Sequence, residues 1–329
     1  MSESNVQAAP VARVRQGPQR RLSDQITHFF VMSGALTIIV ITVWLVLELY
    51  WNSSLTREKF GFRFLWTSDW DPVNDSYGAL PFIFGTVVTS FLALLMAVPA
   101  GVGCAIFLAE MAPRWLSDTL TFLIELLVAV PSVIYGLLGI FVLVPVLREY
   151  VVPPLKSAVS VLPMWSGVPY LFEGTFYGVS LFSAGVVLAV MIVPFIVSVS
   201  REVLMAVPNE QREGALALGA TRWETTWKVV VPFAKRGILG SIFLALARAL
   251  GETMAVTMVI GNTPQIKASI MQPGYTIAAV IANEFTEATD DTYVHALIEL
   301  GLVLFALTII LNGAARLLIL ATSTKGAQV

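Results

Sequence analysis

The stretch GILGSIFLALARALGETMAVTMVIGN, residues 237–262, has the apolar character of a membrane span but carries two charged side chains, Arg248 and Glu252. A helix rises about 1.5 Å per residue, so a stretch of this length crosses the roughly 30 Å hydrocarbon core of a bilayer. A charge at the centre of such a helix costs about 2.5–3.5 kcal/mol, and intramembrane charges therefore usually have a function. The stretch predicts a transmembrane helix and makes Arg248 and Glu252 the first candidate site residues.

The whole chain has the composition of an integral membrane protein. Of its 329 residues 57% are hydrophobic and 13% are charged, whereas an ordinary soluble domain has about 25% charged residues. The mean hydropathy is +0.79. Apolar runs that are long enough to span a bilayer lie near residues 28–51, 81–109, 117–147, 176–206, 236–261 and 293–321. The sequence therefore predicts an all-α, polytopic membrane protein with six transmembrane helices.

Residue types that build catalytic and metal sites are scarce in this chain. The single cysteine, Cys104, excludes an internal disulfide and a multi-cysteine metal site, and its apolar surroundings favour plain packing. His28 and His295 lie at the edges of predicted spans, so a histidine-rich metal site is not expected. We predict no catalytic residue, no metal, no cofactor and no nucleic-acid partner, and an integral membrane enzyme is the least favoured class.

The distribution of Lys and Arg predicts the orientation in the membrane. Apart from Arg248, thirteen of these residues lie on the side of the termini and the 201–236 loop, and six lie on the other side. The positive-inside rule then places both termini and this loop in the cytoplasm. Residues 1–22 are basic and rich in Gln, Ala and Pro, which predicts a disordered cytoplasmic tail. The outside loops are residues 52–80, 148–175 and 262–292.

A proline lies in the middle of the third predicted span, in the stretch VAVPSVIYGLLG. Pro131 removes a backbone donor and kinks a helix, and neighbouring helices can accommodate the kink. One interpretation is a packing kink beside the small residues Gly136 and Gly139. The other is a hinge, or an opened stretch that lines a pathway.

The loop from Val207 to Pro232, VPNEQREGALALGATRWETTWKVVVP, predicts two short cytoplasmic helices joined at a glycine corner. Pro208 suits a helix start, and Gly219 suits the position after a helix C-cap. Thr221 and Glu224 form a capping box for the second helix, and the proline at the end of the loop is expected to terminate it. Such a hairpin can project from the membrane and dock into a soluble partner.

The spacing of Glu213-Gly214-Ala215, Gly219 and Pro232 resembles the EAA loop of ABC importer permeases. The chain departs from the family pattern by its second residue, Gly214, and by valines before the proline, and Gly214 costs the helix up to about 1 kcal/mol. In the family this loop is the coupling helix, which sits in a groove of a cytoplasmic ATPase. The resemblance assigns that role here to Arg212, Glu213, Gly214, Ala215, Leu218, Gly219, Ala220 and Pro232. Because the chain lacks a G-x-x-x-x-G-K-[ST] phosphate loop, a separate subunit would hydrolyse ATP.

Small residues spaced four apart in the fifth predicted span indicate a seam against another helix: Gly237, Ser241, Ala245, Ala249 and Thr253. Arg248 and Glu252 lie on the adjacent stripe and, at i and i+4, can meet each other. In one interpretation they neutralise each other and hold helices together, although burying an ion pair is a poor source of stability. In the favoured interpretation they line a path for a polar solute. The guanidinium would bind an oxyanion, and the carboxylate would keep it from binding too tightly.

Further stretches extend the resemblance: RALGETMAVTMVIGN, FLWTSDWDPVNDSYGALPFIFGTVVTS (residues 64–90), VPSVIYGLLG, and ANEFTEA followed by ALIELGLVLFALT. Over roughly residues 60–315 they are similar to the PstC-type permeases of phosphate-specific ABC transporters. The resemblance implies a type I ABC importer permease bundle over residues 81–321, with residues 23–80 as an attached first span and outside loop. Residues 322–329 would form a second cytoplasmic tail.

The same resemblance implies partners and a location. The partners would be a PstA-type permease, two PstB-type ATPase subunits and an extracytoplasmic phosphate-binding protein, assembled in a bacterial inner membrane among its lipids. Arg248 and Glu252 match the charged pair that this family uses in the passage of inorganic phosphate. Composition and spacing alone do not name the anion.

Alternatives remain open from the residues. An importer of another oxyanion, such as molybdate, sulfate or phosphonate, would need the same kind of charged helix. A membrane scaffold or phosphate-sensing subunit would use the hairpin for docking without moving a solute. Acidic residues of the last outside loop can dock the binding protein, although acidic loop residues are more often simply solvated: Glu284, Glu287, Asp290 and Asp291.

Overall fold

The computed structural model describes the backbone of residues 18–161, 163 and 167–323. The regular secondary structure of this part of the chain is helical apart from one isolated bridge between Asp71 and Ser76. Most of the predicted N-terminal tail, residues 1–17, and most of the C-terminal tail, residues 324–329, lie outside the described residues. The predicted all-α class is confirmed. The contacts divide the chain after Trp51 into two units.

The described residues of the first unit belong to a single long helix, α1, Pro18–Asn52, which ends one residue beyond the unit. Its segment Asp24–Asn52 is long and apolar enough to cross a membrane. Hydroxyl groups in this segment donate to backbone carbonyls one turn earlier, as Thr37 does to Ser33 and Thr42 to Ile38, both at 2.8 Å. These bonds satisfy the polar side chains within the apolar helix.

The second unit contains the remaining helices. The shorter ones on the predicted outer side are α2 (Ser54–Phe60), α3 (Arg63–Trp66), α7 (Val144–Val146), α8 (Val152–Ser160), α9 (Val168–Leu171) and α15 (Ile277–Glu284). The others are α4 (Leu80–Ile106), α5 (Arg114–Ala129), α6 (Ser132–Leu138), α10 (Leu181–Met205), α11 (Asn209–Ala217), α12 (Arg222–Thr225), α13 (Val231–Leu250), α14 (Met254–Ile260) and α16 (Asp291–Ser323). Segments with π-helical hydrogen bonding continue several of them: Phe107–Met111, Gly139–Leu143, Leu147–Val151 and Thr226–Val230. By their contacts, residues 52–79 group with this unit, and the predicted division into residues 23–80 and 81–321 stays a prediction.

Six helical stretches of the described residues are long and apolar enough to span a membrane, as predicted: Asp24–Asn52, Leu80–Met111, Ser132–Ser160, Leu181–Met205, Arg222–Leu250 and Asp291–Leu317. The third and the fifth differ from the predicted boundaries, which were 117–147 and 236–261. In both places the helix is interrupted or extended in a way that the apolar pattern does not reveal.

The predicted third span is broken into α5 and α6. Val130 and Pro131 have ψ angles of 130° and 140°, so the backbone between the two helices is extended. The Tyr135 hydroxyl donates to the Leu127 carbonyl at 2.8 Å and so satisfies a backbone acceptor beside the break. Length and apolarity single out Ser132–Ser160, which begins after the break instead of at residue 117.

The core of the second unit is built around α10, which packs on α4, α5, α13 and α14. Close approach of α10 and α13 depends on the small residues that the sequence pattern singled out. An added Cβ at Gly237 would lie 2.2 Å from a methyl group of Val203, and the Ser241 and Ser200 hydroxyls are 2.7 Å apart. Ala245 and Ala249 are buried as well. The predicted small-residue seam is therefore present up to the end of α13, whereas Thr253 lies beyond it.

An aromatic cluster lies on the predicted outer side of this unit and includes Phe64, Trp70, Tyr77, Phe82, Tyr275 and Tyr293. Trp70 Nε1 and the Tyr293 hydroxyl both donate to one carboxylate oxygen of Glu284, at 2.9 and 2.7 Å. Burial raises the pKa of the Tyr77 hydroxyl to about 12, so this group stays neutral at physiological pH. The two hydrogen bonds give Glu284 a role in holding the cluster together, and a docking role for the four acidic residues of the loop stays a prediction.

Candidate functional site

Arg248 lies in the last turn of α13, and the helix ends two residues later at Leu250. Gly251, Glu252 and Thr253 are not helical, and α14 begins at Met254. The prediction of one continuous helix over 236–261 is therefore wrong. Glycine has a high conformational freedom and supports a helix poorly, which makes Gly251 a natural place for the break.

The break separates Arg248 from Glu252, and the two do not form the ion pair that their i, i+4 spacing suggested. Among the described residues, the ion pairs within 4.0 Å involve other side chains. Glu252 Oε1 instead accepts a hydrogen bond from the Ala255 backbone N–H at 3.2 Å, at the start of α14. The interpretation in which the two charges neutralise each other requires an ion pair between Arg248 and Glu252, and the structure does not contain this pair.

The Arg248 guanidinium contacts the aromatic ring of Phe195. Its central carbon lies 5.7 Å from the centroid of the Phe195 ring, within the range of a cation–π interaction. Phe195 is near the middle of α10, one of the helices that are long and apolar enough to span a membrane. The residue is half-buried, and in the described part of the chain no carboxylate lies within 4.0 Å of its charge.

The helix that follows each of the two breaks packs on the other. An added Cβ at Gly136 of α6 would lie 3.1 Å from the Ala255 Cα and 2.6 Å from the Met258 sulfur, both on α14. Non-helical backbone at membrane depth is tolerated where it is buried in protein or lines a water-filled cavity. The structure thus brings Pro131 and the segment after Arg248 into one region, and the hinge role of Pro131 stays a prediction.

The hairpin of residues 207–232 has the caps that its sequence predicts. Gly219 has φ +89°, its N–H donates to the Leu216 carbonyl, and the Ala220 N–H donates to the Ala215 carbonyl, which together form a Schellman motif. The capping box of Thr221 and Glu224 is complete, because each side chain accepts from the other residue's backbone N–H.

Pro232 does not end the second hairpin helix, which corrects the prediction. The helix runs from Arg222 through the π-helical segment Thr226–Val230 into α13, and Pro232 lies in the first turn of α13. A proline lacks an N–H and clashes with the carbonyl of an ordinary preceding turn, whereas a π-helical segment has already disrupted that ladder. The hairpin is consequently joined by one helical stretch to Arg248.

Arg212 anchors α11 to two other segments. Its Nη2 donates to Glu110 Oε1 at 2.8 Å and to the Leu204 carbonyl at 2.8 Å, and its Nη1 donates to the Val207 carbonyl. Nε lies 3.3 Å from both oxygens of Glu110. The two side chains are only 19% and 9% exposed. Sequence reasoning missed Glu110, although a lone carboxylate at the end of an apolar run was a signal for it.

The other predicted coupling residues of the hairpin are exposed to solvent or half-buried. Glu213, Gly214, Leu218 and Gly219 are exposed, and Ala215 and Ala220 are half-buried. Leu218 is 91% exposed, next to the exposed Leu216. Exposed apolar side chains at the tip of a hairpin are typical of a protein-docking surface.

The two glycines of the hairpin allow a matched prediction. Gly219→Ala should destabilise the hairpin by about 1–2 kcal/mol, because an L-residue is strained at positive φ. Gly214→Ala should stabilise it by up to about 1 kcal/mol, because Gly214 is inside α11 and an added Cβ has open space. Hydrogen exchange of residues 209–225 in the assembled protein measures both. Equal protection in the two variants would contradict the role of the left-handed Gly219.

The fold and the hairpin define a class of protein, namely helical permease subunits of importers. The family described as "Binding-protein-dependent transport system inner membrane component" matches residues 101–322, so the chain belongs to this family and is a multi-pass inner-membrane protein. The fold is similar to a chain in the crystal structure of a bacterial ABC transporter involved in the import of the acidic polysaccharide alginate, and the similarity extends over 90% of the present chain. That similarity has a TM-score of 0.51 at 17% identity, covers 98% of the other chain, and supports the fold alone.

Within that family the chain belongs with the PstC proteins. It is 48% identical over 304 residues to the phosphate transport system permease protein PstC of Pasteurella multocida, covering 92% of each chain. It is 44% identical over 310 residues to the protein of the same name from Xylella fastidiosa, covering 93% of this chain and 94% of the other.

Proposed function

We propose that this chain is a permease subunit of an ATP-driven inorganic phosphate importer. The observation that carries the proposal is Arg248, a cation in a helical stretch long and apolar enough to span a membrane, which lies against an aromatic ring and not against a carboxylate. A guanidinium offers several donors in a fixed fork and matches the oxygens of phosphate. The names of the relatives support phosphate as the anion.

The complex would contain the partners that the family resemblance implies. A PstA-type permease would complete the translocation path beside Arg248, and two PstB-type ATPase subunits would bind the exposed hairpin tips. An extracytoplasmic phosphate-binding protein would deliver the anion. Both termini and the hairpin would face the cytoplasm, in agreement with the excess of Lys and Arg on that side.

Transport would proceed by alternating access. Closure of the ATPase dimer would move α11 and α12, and the helical stretch from Arg222 to Leu250 would carry this motion to Arg248. The non-helical backbone at Pro131 and at Gly251 would allow the inner ends of α6 and α14 to shift, which exposes Arg248 alternately to the two sides. Binding of ATP and of the loaded binding protein would favour different packings of the spans.

Uptake of labelled phosphate tests the proposal. Cells that lack this chain, but keep its partner subunits, should regain uptake when the wild-type chain is supplied. Excess unlabelled sulfate, molybdate or phosphonate should not compete. Competition by one of these anions would instead identify an importer of that oxyanion, and failure to restore uptake would favour a scaffold or sensing subunit.

A further inference from the structure

We infer that the Arg212–Glu110 ion pair is a positioning device, the coupling lock, which makes α11 move as one body with the inner ends of α4 and α10. The inference rests on the proposed function, since it takes the hairpin to be the part that the ATPase moves. Both side chains are largely buried, so they would act by fixing the hairpin and not by touching ATP or phosphate.

The lock joins three segments of the chain. Glu110 lies in the π-helical segment that continues α4, the Leu204 carbonyl belongs to the last turn of α10, and Arg212 projects from α11. One guanidinium therefore binds a carboxylate of the second span and a carbonyl of the fourth span at the same distance of 2.8 Å. Charge-assisted hydrogen bonds of this kind fix geometry as well as adding energy.

Apolar packing alone would hold α11 weakly. This helix has nine residues, none of them fully buried; its leucine, Leu216, is exposed, and so is Leu218 at its C-cap. A helix with little buried apolar surface opens readily unless polar contacts restrain it. The lock supplies such a restraint at the point where α11 meets the membrane-spanning helices.

The lock also gives the hairpin a second route to Arg248. Along the first route, α12 continues into α13, which carries Arg248. Along the second, Arg212 holds the end of α10, which carries Phe195, the ring against which Arg248 lies. Motion of the hairpin would therefore displace both Arg248 and Phe195. Without the coupling lock, the hairpin would displace Arg248 alone, through α12 and α13.

The test uses the assembled transporter in liposomes and measures inorganic phosphate moved per ATP hydrolysed. Arg212→Gln and Glu110→Gln should each lower this ratio roughly 2- to 30-fold, the range expected when a coupling residue is lost, while ATP hydrolysis continues. The double variant removes both buried charges, so it should assemble like the wild type yet transport no better than the single variants. Amides of residues 209–217 should exchange faster in all three.

Lys59→Gln is the matched control, because Lys59 forms an exposed ion pair with Asp75 at 3.1 Å in the outside segment. It should leave the ratio and the exchange of α11 unchanged. Full coupling in the well-assembled double variant would overturn the inference. So would unchanged exchange of α11 in Arg212→Gln, a result that does not depend on the anion transported. A wild-type complex that moves no phosphate would instead refute the proposed function.

Discussion

Replacing Arg248 by glutamine should lower phosphate uptake roughly 10- to 150-fold, because hydrogen bonds to a charged group contribute about 1.5–3 kcal/mol. Glutamine keeps a polar side chain of similar reach but removes the positive charge that attracts the anion. The cation lies against the Phe195 ring and forms no ion pair within the described residues, so its removal leaves no buried carboxylate without a counter-charge. The loss should therefore appear in transport and not in assembly.

Two further variants separate the charge from the geometry of Arg248. Arg248→Lys keeps the charge but loses the planar fork, so uptake should fall between the wild type and Arg248→Gln. Lys235→Gln removes an exposed cation from the same helix and should have no effect. The measurement is initial uptake of labelled phosphate at equal amounts of protein in the membrane. Normal uptake by Arg248→Gln would show that this cation is structural.

Local sequence chemistry predicted the hairpin well. The capping box at Thr221 and the left-handed Gly219 depend only on residues a few positions apart, and both were found as expected. The small-residue seam of α13 was predictable for a similar reason, because a period of four along one helix already defines a face. These features need no knowledge of the rest of the fold.

Features that depend on the surroundings of a helix were missed. The π-helical segment that carries the chain past Pro232 and the break after Leu250 both contradict simple rules for helix ends. The pairing of Arg212 with Glu110 joins residues 102 positions apart, which no local pattern reveals. The i, i+4 pairing of Arg248 with Glu252 failed because it assumed a continuous helix between them.

Part of the stretch that carried the family resemblance, ALPFIFGTVVTS, has a packing explanation at Gly85 and Thr86. An added Cβ at Gly85 would lie 2.0 Å from the Tyr275 carbonyl oxygen, so the backbone of the segment that precedes α15 lies directly on α4. The Thr86 hydroxyl accepts a hydrogen bond from the Ile277 N–H at 3.0 Å. Gly85 leaves room for the Tyr275 backbone against α4, and the Thr86 hydroxyl accepts the hydrogen bond of the same segment.

Gly85→Ala should therefore destabilise the protein by at least about 3 kcal/mol, the upper part of the range for overpacking, because the opposing atom is backbone and cannot rotate away. Displacing the Tyr275 carbonyl would also stretch the bond from Ile277 to Thr86 and disturb the buried Tyr275 ring. The measurement is the unfolding temperature of the purified complex together with the amount of protein in the membrane.

Gly103→Ala is the matched control, since Gly103 lies on the same helix and an added Cβ there meets nothing within 4 Å. Alanine is the better helix former by about 1 kcal/mol, so this variant should be as stable as the wild type or more so. The two substitutions add the same methyl group to the same helix and differ only in what it meets. If Gly85→Ala unfolded at the same temperature as Gly103→Ala, the close contact between α4 and the Tyr275 segment would not contribute to stability. Gly85 would then need another explanation.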